Sequence, residues 1–215
     1  MRTRPAARTG GEPAGPRSPP PDPPEFPLSL VPVFDLDGTL IDSDAALVAP
    51  FVAAGVPRAS ITFGHVLADE CERFGISVDD YLDAYDENAA EPFAGVEELV
   101  ATISQSGRWA VCSNKHPRPG HAELARLGWE PEVALFSDSF GGPKHLGPVL
   151  DALGVTADQI VFVGDTGHDR ECARALAVAF GLAGWNPRAV GADGDAVLNR
   201  PLDVLALMAS SATHP

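Results

Sequence analysis

Five short apolar runs divide the sequence after residue 28, and their spacing limits the fold more than any other feature. The runs cover residues 30–36, 108–112, 133–136, 160–163 and 177–182. Helical patterns separate the later runs, near 118–127, 146–153 and 168–177. Near-continuous apolar strands that alternate with helices form a parallel sheet covered on both faces. The sequence predicts a three-layer, Rossmann-like α/β core, although Pro32 is unusual in a central strand.

The segment between the first two runs breaks this alternation, because its apolar residues recur at helical spacing. One stripe starts at Phe63 and ends at Gly75, and Ser77 begins another helix. Tyr81 and Tyr85 share a stripe of that helix and are predicted to pack inside this region. A small helical insertion is the simplest interpretation. The predicted division places this helical cap at 44–91 and the core at 28–43 and 92–215.

Residues 1–27 differ from the rest of the chain in composition. They contain nine prolines and four arginines, with Phe26 as the single large apolar residue. Such a segment buries too little apolar surface to offset the entropy lost on ordering. We therefore predict a disordered, proline-rich tail ahead of the folded part.

The net charge argues against two classes of partner, and the cysteines bear on the cellular location. The formal net charge of −15 repels polyanions, which argues against binding to nucleic acid or to an anionic membrane. Three scattered cysteines without CxxC spacing favour a reducing, cytoplasmic location. No apolar run approaches the roughly 20 residues that a membrane span requires.

The first apolar run ends in two carboxylates, Asp35 and Asp37, followed by Gly38. Side chains at i and i+2 project from the same face of an extended chain, so both reach one spot at the carboxyl end of the strand. Adjacent carboxylates repel each other unless a proton or a cation intervenes, and Mg²⁺ prefers oxygen ligands. The alternative is an Asp-Gly turn that only reverses the chain.

Three later segments also place polar residues at predicted strand ends. Ser113 and Asn114 follow the second run, Lys144 lies in the loop after the third, and Asp165 and Asp169 follow the fourth. Taken singly, each has an ordinary explanation: a turn, a solvated loop lysine, or a helix cap with a first-turn acid. Together they supply an anion binder, a cation and metal ligands in the order of the strands.

This set of residues resembles the four motifs of the haloacid dehalogenase (HAD) superfamily, and the inserted helices resemble its C1-type cap. The segment from Pro92 to Leu99, with the later Ser-Asn-Lys, looks like the phosphoglycolate phosphatase and β-phosphoglucomutase branch. The resemblance implies that Asp35 attacks phosphorus to form an aspartyl-phosphate, with Asp37 as general acid and base. It also implies that Ser113, Asn114 and Lys144 hold the phosphoryl group.

The resemblance further implies an Mg²⁺ cofactor, held by Asp35, the backbone carbonyl of Asp37, and Asp165, with Asp169 in support. The implied reaction is hydrolysis of a small phosphorylated metabolite by a monomer or homodimer. A phosphomutase or a pyrophosphatase of the same family remains an alternative. A catalytically silent phosphoryl-binding module is the alternative outside enzymes, and the acid at Asp37 argues against it because binding needs no proton donor.

Overall fold

The computed structural model describes residues 30–210, so the predicted disordered tail at 1–27 lies outside the described residues. Eight β-strands occur within that range. They are β1 Val31–Phe34, β2 Ile41–Asp42, β3 Glu91–Pro92, β4 Ala110–Cys112, β5 Val133–Leu135, β6 Ile160–Gly164, β7 Ala179–Ala183 and β8 Ala196–Leu198. Each of the five predicted runs overlaps a strand, with β6 and β7 ending one residue beyond their runs, whereas β2, β3 and β8 were not predicted.

Eight α-helices occur in the same range. They are α1 Asp44–Ala53, α2 Leu67–Phe74, α3 Val78–Ala84, α4 Val96–Ser106, α5 Pro117–Leu127, α6 Gly147–Leu153, α7 Gly167–Ala175 and α8 Asp203–Ser210. The three helices predicted between the later strands correspond to α5, α6 and α7. Among the described helices, none combines the length and the apolar character needed to cross a bilayer.

Six strands form one parallel sheet in the order β5-β4-β1-β6-β7-β8. The chain moves outward from β1 in one direction and then in the other, so the predicted Rossmann-like core is confirmed. Pro32 lies in the central strand. Its nitrogen faces β4, because the Asp35 amide bonds to β6 on the opposite side. Pairing with β4 begins only at Val33, so the proline removes no ladder hydrogen bond.

Residues of the central strands alternate between two apolar clusters, one on each face of the sheet. Phe34 and Val163 belong to one cluster, whereas Val33 and Phe162 belong to the other. Both faces are buried, and this burial produces the three layers that the apolar runs predicted. The packing holds the carboxyl ends of β1, β4 and β6 at one edge.

The chain leaves and re-enters the core through a short antiparallel ladder between β2 and β3. Helices α1, α2 and α3 lie between these two strands, within the region predicted as the cap. The predicted helix starting at Phe63 is wrong in its start, because α2 begins at Leu67. Gly64, at φ +85°, lies in the left-handed region and interrupts the helical pattern. Tyr81 and Tyr85 are buried in the core cluster, and both also line the pocket described below, so packing is only part of their surroundings.

Candidate active site

The loops at the carboxyl edge of the sheet bring the predicted polar residues to one pocket. Asp35 and Asp37 follow β1, Ser113 follows β4, Lys144 lies in the loop after β5, and Asp165 follows β6. All five line the same pocket, as does the predicted phosphate contact Asn114. Asp169 is not among the lining residues and is fully buried behind them. The sheet order thus assembles residues that are distant in sequence.

Lys144 is buried between two carboxylates. Its Nζ lies 2.9 Å from Asp35 Oδ1 and 2.6 Å from Asp169 Oδ1. Burial alone would lower the pKa of Lys144, but the carboxylates of Asp169 and Asp35 raise it above its ordinary value. Burial raises the pKa of Asp169, yet Lys144 and hydrogen bonds from Thr166 bring it below its ordinary value. Lys144 is therefore a permanent cation beside Asp35.

Gly38 makes room for the carboxylate of Asp165. Its φ is +78°, and a Cβ at this position would lie 2.5 Å from Asp165 Oδ2. The carboxylate accepts a hydrogen bond at 2.9 Å from Nδ2 of Asn186, which also donates to the Gly38 carbonyl at 2.8 Å. Thr39 donates a longer bond of 3.4 Å to the other oxygen. The turn after β1 is thus fastened to the loop after β6.

Three buried carboxylates form an acidic group, of which Asp35 and Asp165 line the pocket and Asp169 lies behind them. Asp35, Asp165 and Asp169 each offer an oxygen, and these oxygens lie within 4.8 Å of one another. Burial raises the pKa of Asp35 to about 6, against the opposing charge of Lys144. Burial, reinforced by the charge on Asp35, raises the pKa of Asp165 to about 7. Clustered carboxylates with raised pKa values suit a hard dication, which would relieve their repulsion.

A second buried lysine, Lys115, also lines the pocket. Its Nζ donates hydrogen bonds to Asp37 Oδ1 at 2.7 Å and to the Tyr85 hydroxyl at 2.9 Å. It also lies 3.0 Å from Glu123 Oε2. Burial raises the pKa of Glu123 to about 7, although Lys115 opposes the shift. The side chain of Asp37 is therefore held by Lys115 and lies outside the acidic group of three.

Ser113 and Asn114 are buried at the end of β4, where Ser113 contacts Lys115 and Asn114 contacts Lys144. Ser113 Oγ accepts a hydrogen bond of 3.3 Å from the Lys115 amide. The Asn114 side chain donates from Nδ2 to the Gly64 carbonyl and accepts at Oδ1 from the Lys144 amide, at 2.9 Å and 2.7 Å. Asn114 thus links the cap loop to the loop that carries Lys144.

Comparison with known proteins identifies this arrangement. Residues 33–183 match the family of haloacid dehalogenase-like hydrolases. The chain belongs to the HAD superfamily. A phosphoglycolate phosphatase from Xanthomonas campestris pv. campestris (strain 8004) is 30% identical over 193 residues, covering 76% of this chain and 86% of the relative. Pyrophosphatase PpaX of Halalkalibacterium halodurans is 26% identical over 161 residues, covering 64% and 75%.

A solved structure supports the same fold. A haloacid dehalogenase-like hydrolase from Streptococcus pneumoniae superposes with a TM-score of 0.67 at 21% identity, covering 83% of this chain and 98% of that one. The HAD-type core predicted from the motifs is therefore confirmed. The chain is an enzyme, a hydrolase of the phosphatase type.

This HAD hydrolase also has site residues that the sequence did not reveal. Arg188, in the loop after β7, places Nη2 2.7 Å from Asp44 Oδ1 at the start of α1 and 3.5 Å from Asp165 Oδ2. Its guanidinium also lies 4.3 Å from the ring centroid of Phe63 in the cap. Arg188 and Asn186 lie outside the four motifs, and their position after a strand of the sheet was the only available signal.

Proposed function

We propose that the protein hydrolyses small phosphate monoesters with Mg²⁺, through an aspartyl-phosphate on Asp35. The observation that carries the proposal is the buried Lys144, which contacts Asp35 at the floor of a pocket that Asp37 and Asp165 also line. A carboxylate next to a fixed ammonium, at the carboxyl edge of a parallel sheet, suits attack on an anionic phosphoryl group. The phosphoglycolate phosphatase relative supports this reaction class.

In the first proposed step, a carboxylate oxygen of Asp35 forms a bond to phosphorus while the bond to the alcohol oxygen breaks. Asp37 gives its proton to the departing alcohol, which leaves neutral. In the second step, Asp37 takes a proton from water, and the water oxygen displaces phosphate from Asp35. The Lys144 ammonium stabilises charge on the transferring phosphoryl oxygens throughout.

The proposed metal ligands are Asp35, the Asp37 backbone carbonyl and Asp165, and the acidic group of three supports a cation here. When bound, Mg²⁺ neutralises negative charge on the phosphoryl group. Asp169 contributes by holding Lys144 at 2.6 Å. The raised pKa values of Asp35 and Asp165 are what an acidic site tuned for a dication should have without that charge.

Ser113 and Asn114 are the proposed phosphate contacts beside Lys144. The Ser113 hydroxyl accepts from a backbone amide, which leaves its proton free to donate to a phosphoryl oxygen. Asn114 has both ends of its amide engaged, so its larger contribution is to fix the amide of Lys144. A small phosphorylated metabolite such as phosphoglycolate is the proposed substrate, acted on by a monomer or homodimer in the cytoplasm.

The first test is hydrolysis of p-nitrophenyl phosphate with and without Mg²⁺, in the wild type and in Asp35→Asn. We expect the variant to lose turnover, because an amide is a far weaker nucleophile than a carboxylate. Asp158→Asn is the matched control, since this exposed acid precedes β6 at the opposite end of the strand. Undiminished turnover in Asp35→Asn would reject the aspartyl-phosphate mechanism.

The pyrophosphatase relative favours a second candidate function, the hydrolysis of inorganic pyrophosphate. Both reactions would use the same Asp35 and Lys144, and they differ in the group that leaves. A panel containing phosphoglycolate, sugar phosphates and pyrophosphate, compared by kcat/KM for phosphate release, separates them. A higher kcat/KM for pyrophosphate than for every monoester would replace the monoesterase proposal.

A further inference from the structure

The four motifs assign no role to Lys115, although this lysine is buried and forms ion pairs with Asp37 and Glu123. Only two lysines occur in the whole sequence, and both line this pocket. The Lys115 side chain is 2% exposed, and Glu123 beside it is fully buried. Burying an ammonium and a carboxylate costs desolvation energy that their attraction often does not recover. Stability therefore does not explain why Lys115 and Glu123 are buried together, and we look for their role in the position of Asp37.

The network restrains the Lys115 ammonium from three directions. Asp37, on the loop after β1, accepts one hydrogen bond, and Tyr85, at the end of cap helix α3, accepts another. Glu123, on helix α5, pairs with the ammonium at 3.0 Å, and its Oε1 accepts a hydrogen bond of 2.6 Å from Tyr85. Contacts from three separate segments leave the ammonium little freedom to turn. Its direction toward Asp37 is therefore fixed.

The two oxygens of Asp37 are in different situations. Oδ1 accepts from Lys115, whereas no side chain or backbone group of residues 30–210 donates a hydrogen bond to Oδ2. Asp37 lines the pocket, and its side chain remains 18% exposed. One oxygen anchors the carboxyl group while the other stays available for proton transfer.

We propose that Lys115, held by Glu123 and Tyr85, is the positioning residue that orients Asp37 toward the oxygen of the leaving alcohol. This inference rests on the proposed function, in which the Asp37 proton moves to the alcohol oxygen as the phosphorus–oxygen bond breaks. Among the described residues, Lys115 forms ion pairs with Asp37 and Glu123 and not with Asp35 or Asp169. Its action is therefore on the acid and not on the nucleophile.

The leaving group supplies a readout that a purely structural role would not change. A good leaving group such as p-nitrophenolate departs without a proton, whereas the alkoxide of phosphoglycolate requires one. We compare kcat/KM, which reports steps up to alcohol release and excludes hydrolysis of the phospho-enzyme. In Lys115→Met we expect kcat/KM for phosphoglycolate to fall about 100-fold and that for p-nitrophenyl phosphate by about threefold or less.

Two further variants keep the test informative if Lys115→Met folds poorly. Lys115→Met/Glu123→Gln removes both buried charges, so it avoids an uncompensated carboxylate and should show the same leaving-group dependence. Lys115→Arg restores a cation and should recover part of the activity toward phosphoglycolate. Arg108→Met, which breaks an exposed ion pair with Glu132 elsewhere on the surface, is the control and should leave both substrates unchanged.

A spectroscopic measurement tests the contact without catalysis. In protein labelled with ¹⁵N at the lysine side chains, Lys115 and Lys144 give the only two ammonium signals. The signal lost in Lys115→Arg should shift in Asp37→Asn, while the other should move little. An equal loss of kcat/KM for both substrates, or no loss for either, would overturn the role of Lys115. A wild type inactive on every phosphate ester would instead overturn the proposed function.

Discussion

The two buried lysines line the same pocket, and their surroundings differ. Lys144 lies between the carboxylates of Asp35 and Asp169, all within the core. Lys115 contacts Asp37, and its other partners come from helix α5 and from the end of helix α3, which lies in the helical segment between β2 and β3. Residues that follow the strands of the sheet hold the group proposed to receive the phosphoryl, while the helical segment between β2 and β3 also helps to hold the proposed acid.

This difference divides the proposed reaction between the two parts of the molecule. In the proposed reaction, phosphoryl transfer is common to every substrate and uses residues at the carboxyl edge of the sheet. The proposed protonation depends on the alcohol that leaves, and the Tyr85 hydroxyl connects Lys115, which holds Asp37, to the helices between β2 and β3. Changes on the Lys144 side should therefore affect all substrates alike. Changes on the Lys115 side should distinguish substrates by their leaving groups.

Among changes that compare the two lysines, the largest expected effect comes from Lys144→Met. Loss of the ammonium leaves Asp35 and Asp169 as buried carboxylates without their cation, which costs about 3–5 kcal/mol of stability. It also removes charge stabilisation of the phosphoryl group, so kcat should fall roughly 10³-fold. The measurement is kcat for p-nitrophenyl phosphate and for phosphoglycolate, together with urea denaturation.

Equal loss on the two substrates is the result that supports the comparison. A greater loss with phosphoglycolate would mean that Lys144 also serves the acid, and the two sides of the pocket would not be separate. Arg108→Met is again the control, because the ion pair of Arg108 with Glu132 is exposed and Arg108 does not line the pocket.

A smaller effect is expected from Tyr85→Phe. The change removes the hydroxyl that accepts from Lys115 and donates to Glu123, while it keeps the ring that packs in the core cluster. We expect kcat/KM for phosphoglycolate to fall about fivefold, which corresponds to about 1 kcal/mol for a lost hydrogen bond. The value for p-nitrophenyl phosphate should stay within about twofold.

Tyr81→Phe is the matched control for this variant. The Tyr81 hydroxyl donates a 2.9 Å bond to the Leu47 carbonyl inside the cap, and Tyr81 lies one helical turn before Tyr85. Both variants should lose similar stability in thermal unfolding. If Tyr81→Phe produced the same dependence on the leaving group, the effect would belong to cap packing and not to the Lys115 network.

The sequence predicted the Lys144 side of the pocket well. Asp35, Lys144 and Asp165 each follow a recognisable strand, and parallel strands bring their carboxyl ends to one edge. The burial of both sheet faces follows from the near-continuous apolar runs for the same reason. These features depend on local pattern and on a topological rule, so a single sequence is enough to find them.

The Lys115 side could not be predicted in this way. Lys115 and Asp37 are 78 residues apart, and Tyr85 and Glu123 are separated by 38. Tyr85 sits on an apolar helix stripe, where its ring packs as predicted, but the pattern does not say where its hydroxyl points. Glu123 is fully buried on helix α5, whereas a glutamate on a helix is normally exposed to solvent, so nothing in the sequence indicated its contact with Lys115. The contacts depend on how the helices between β2 and β3 pack against the sheet edge and helix α5, and sequence periodicity does not encode that packing.

The smallest expected effect is the pH dependence of stability. It compares the raised pKa values near Lys144 with the raised pKa value near Lys115. Asp35 and Asp165 have pKa values of about 6 and 7, and Glu123 has a value of about 7. Each is above its unfolded value near 4, so between about pH 4 and 7 these three groups bind more protons in the folded state than in the unfolded chain. Their contribution to the free energy of unfolding of the metal-free protein should therefore decrease as pH rises through this window, while burial lowers the pKa values of His116 and His168 and gives these two groups the opposite dependence.

Mg²⁺ should offset the loss of stability that comes from deprotonation of Asp35 and Asp165. It should not offset the loss from Glu123, which pairs with Lys115 outside the acidic group. We expect Mg²⁺ to raise the Tm by several degrees at pH 8 and by little at pH 5, where protons already neutralise the carboxylates. Glu123→Gln should flatten the slope that remains with Mg²⁺ present, and Asp165→Asn should flatten the slope in its absence. If Glu123→Gln instead abolished the stabilisation by Mg²⁺, the two lysine clusters would form one electrostatic unit, and the division between phosphoryl transfer and protonation would fail.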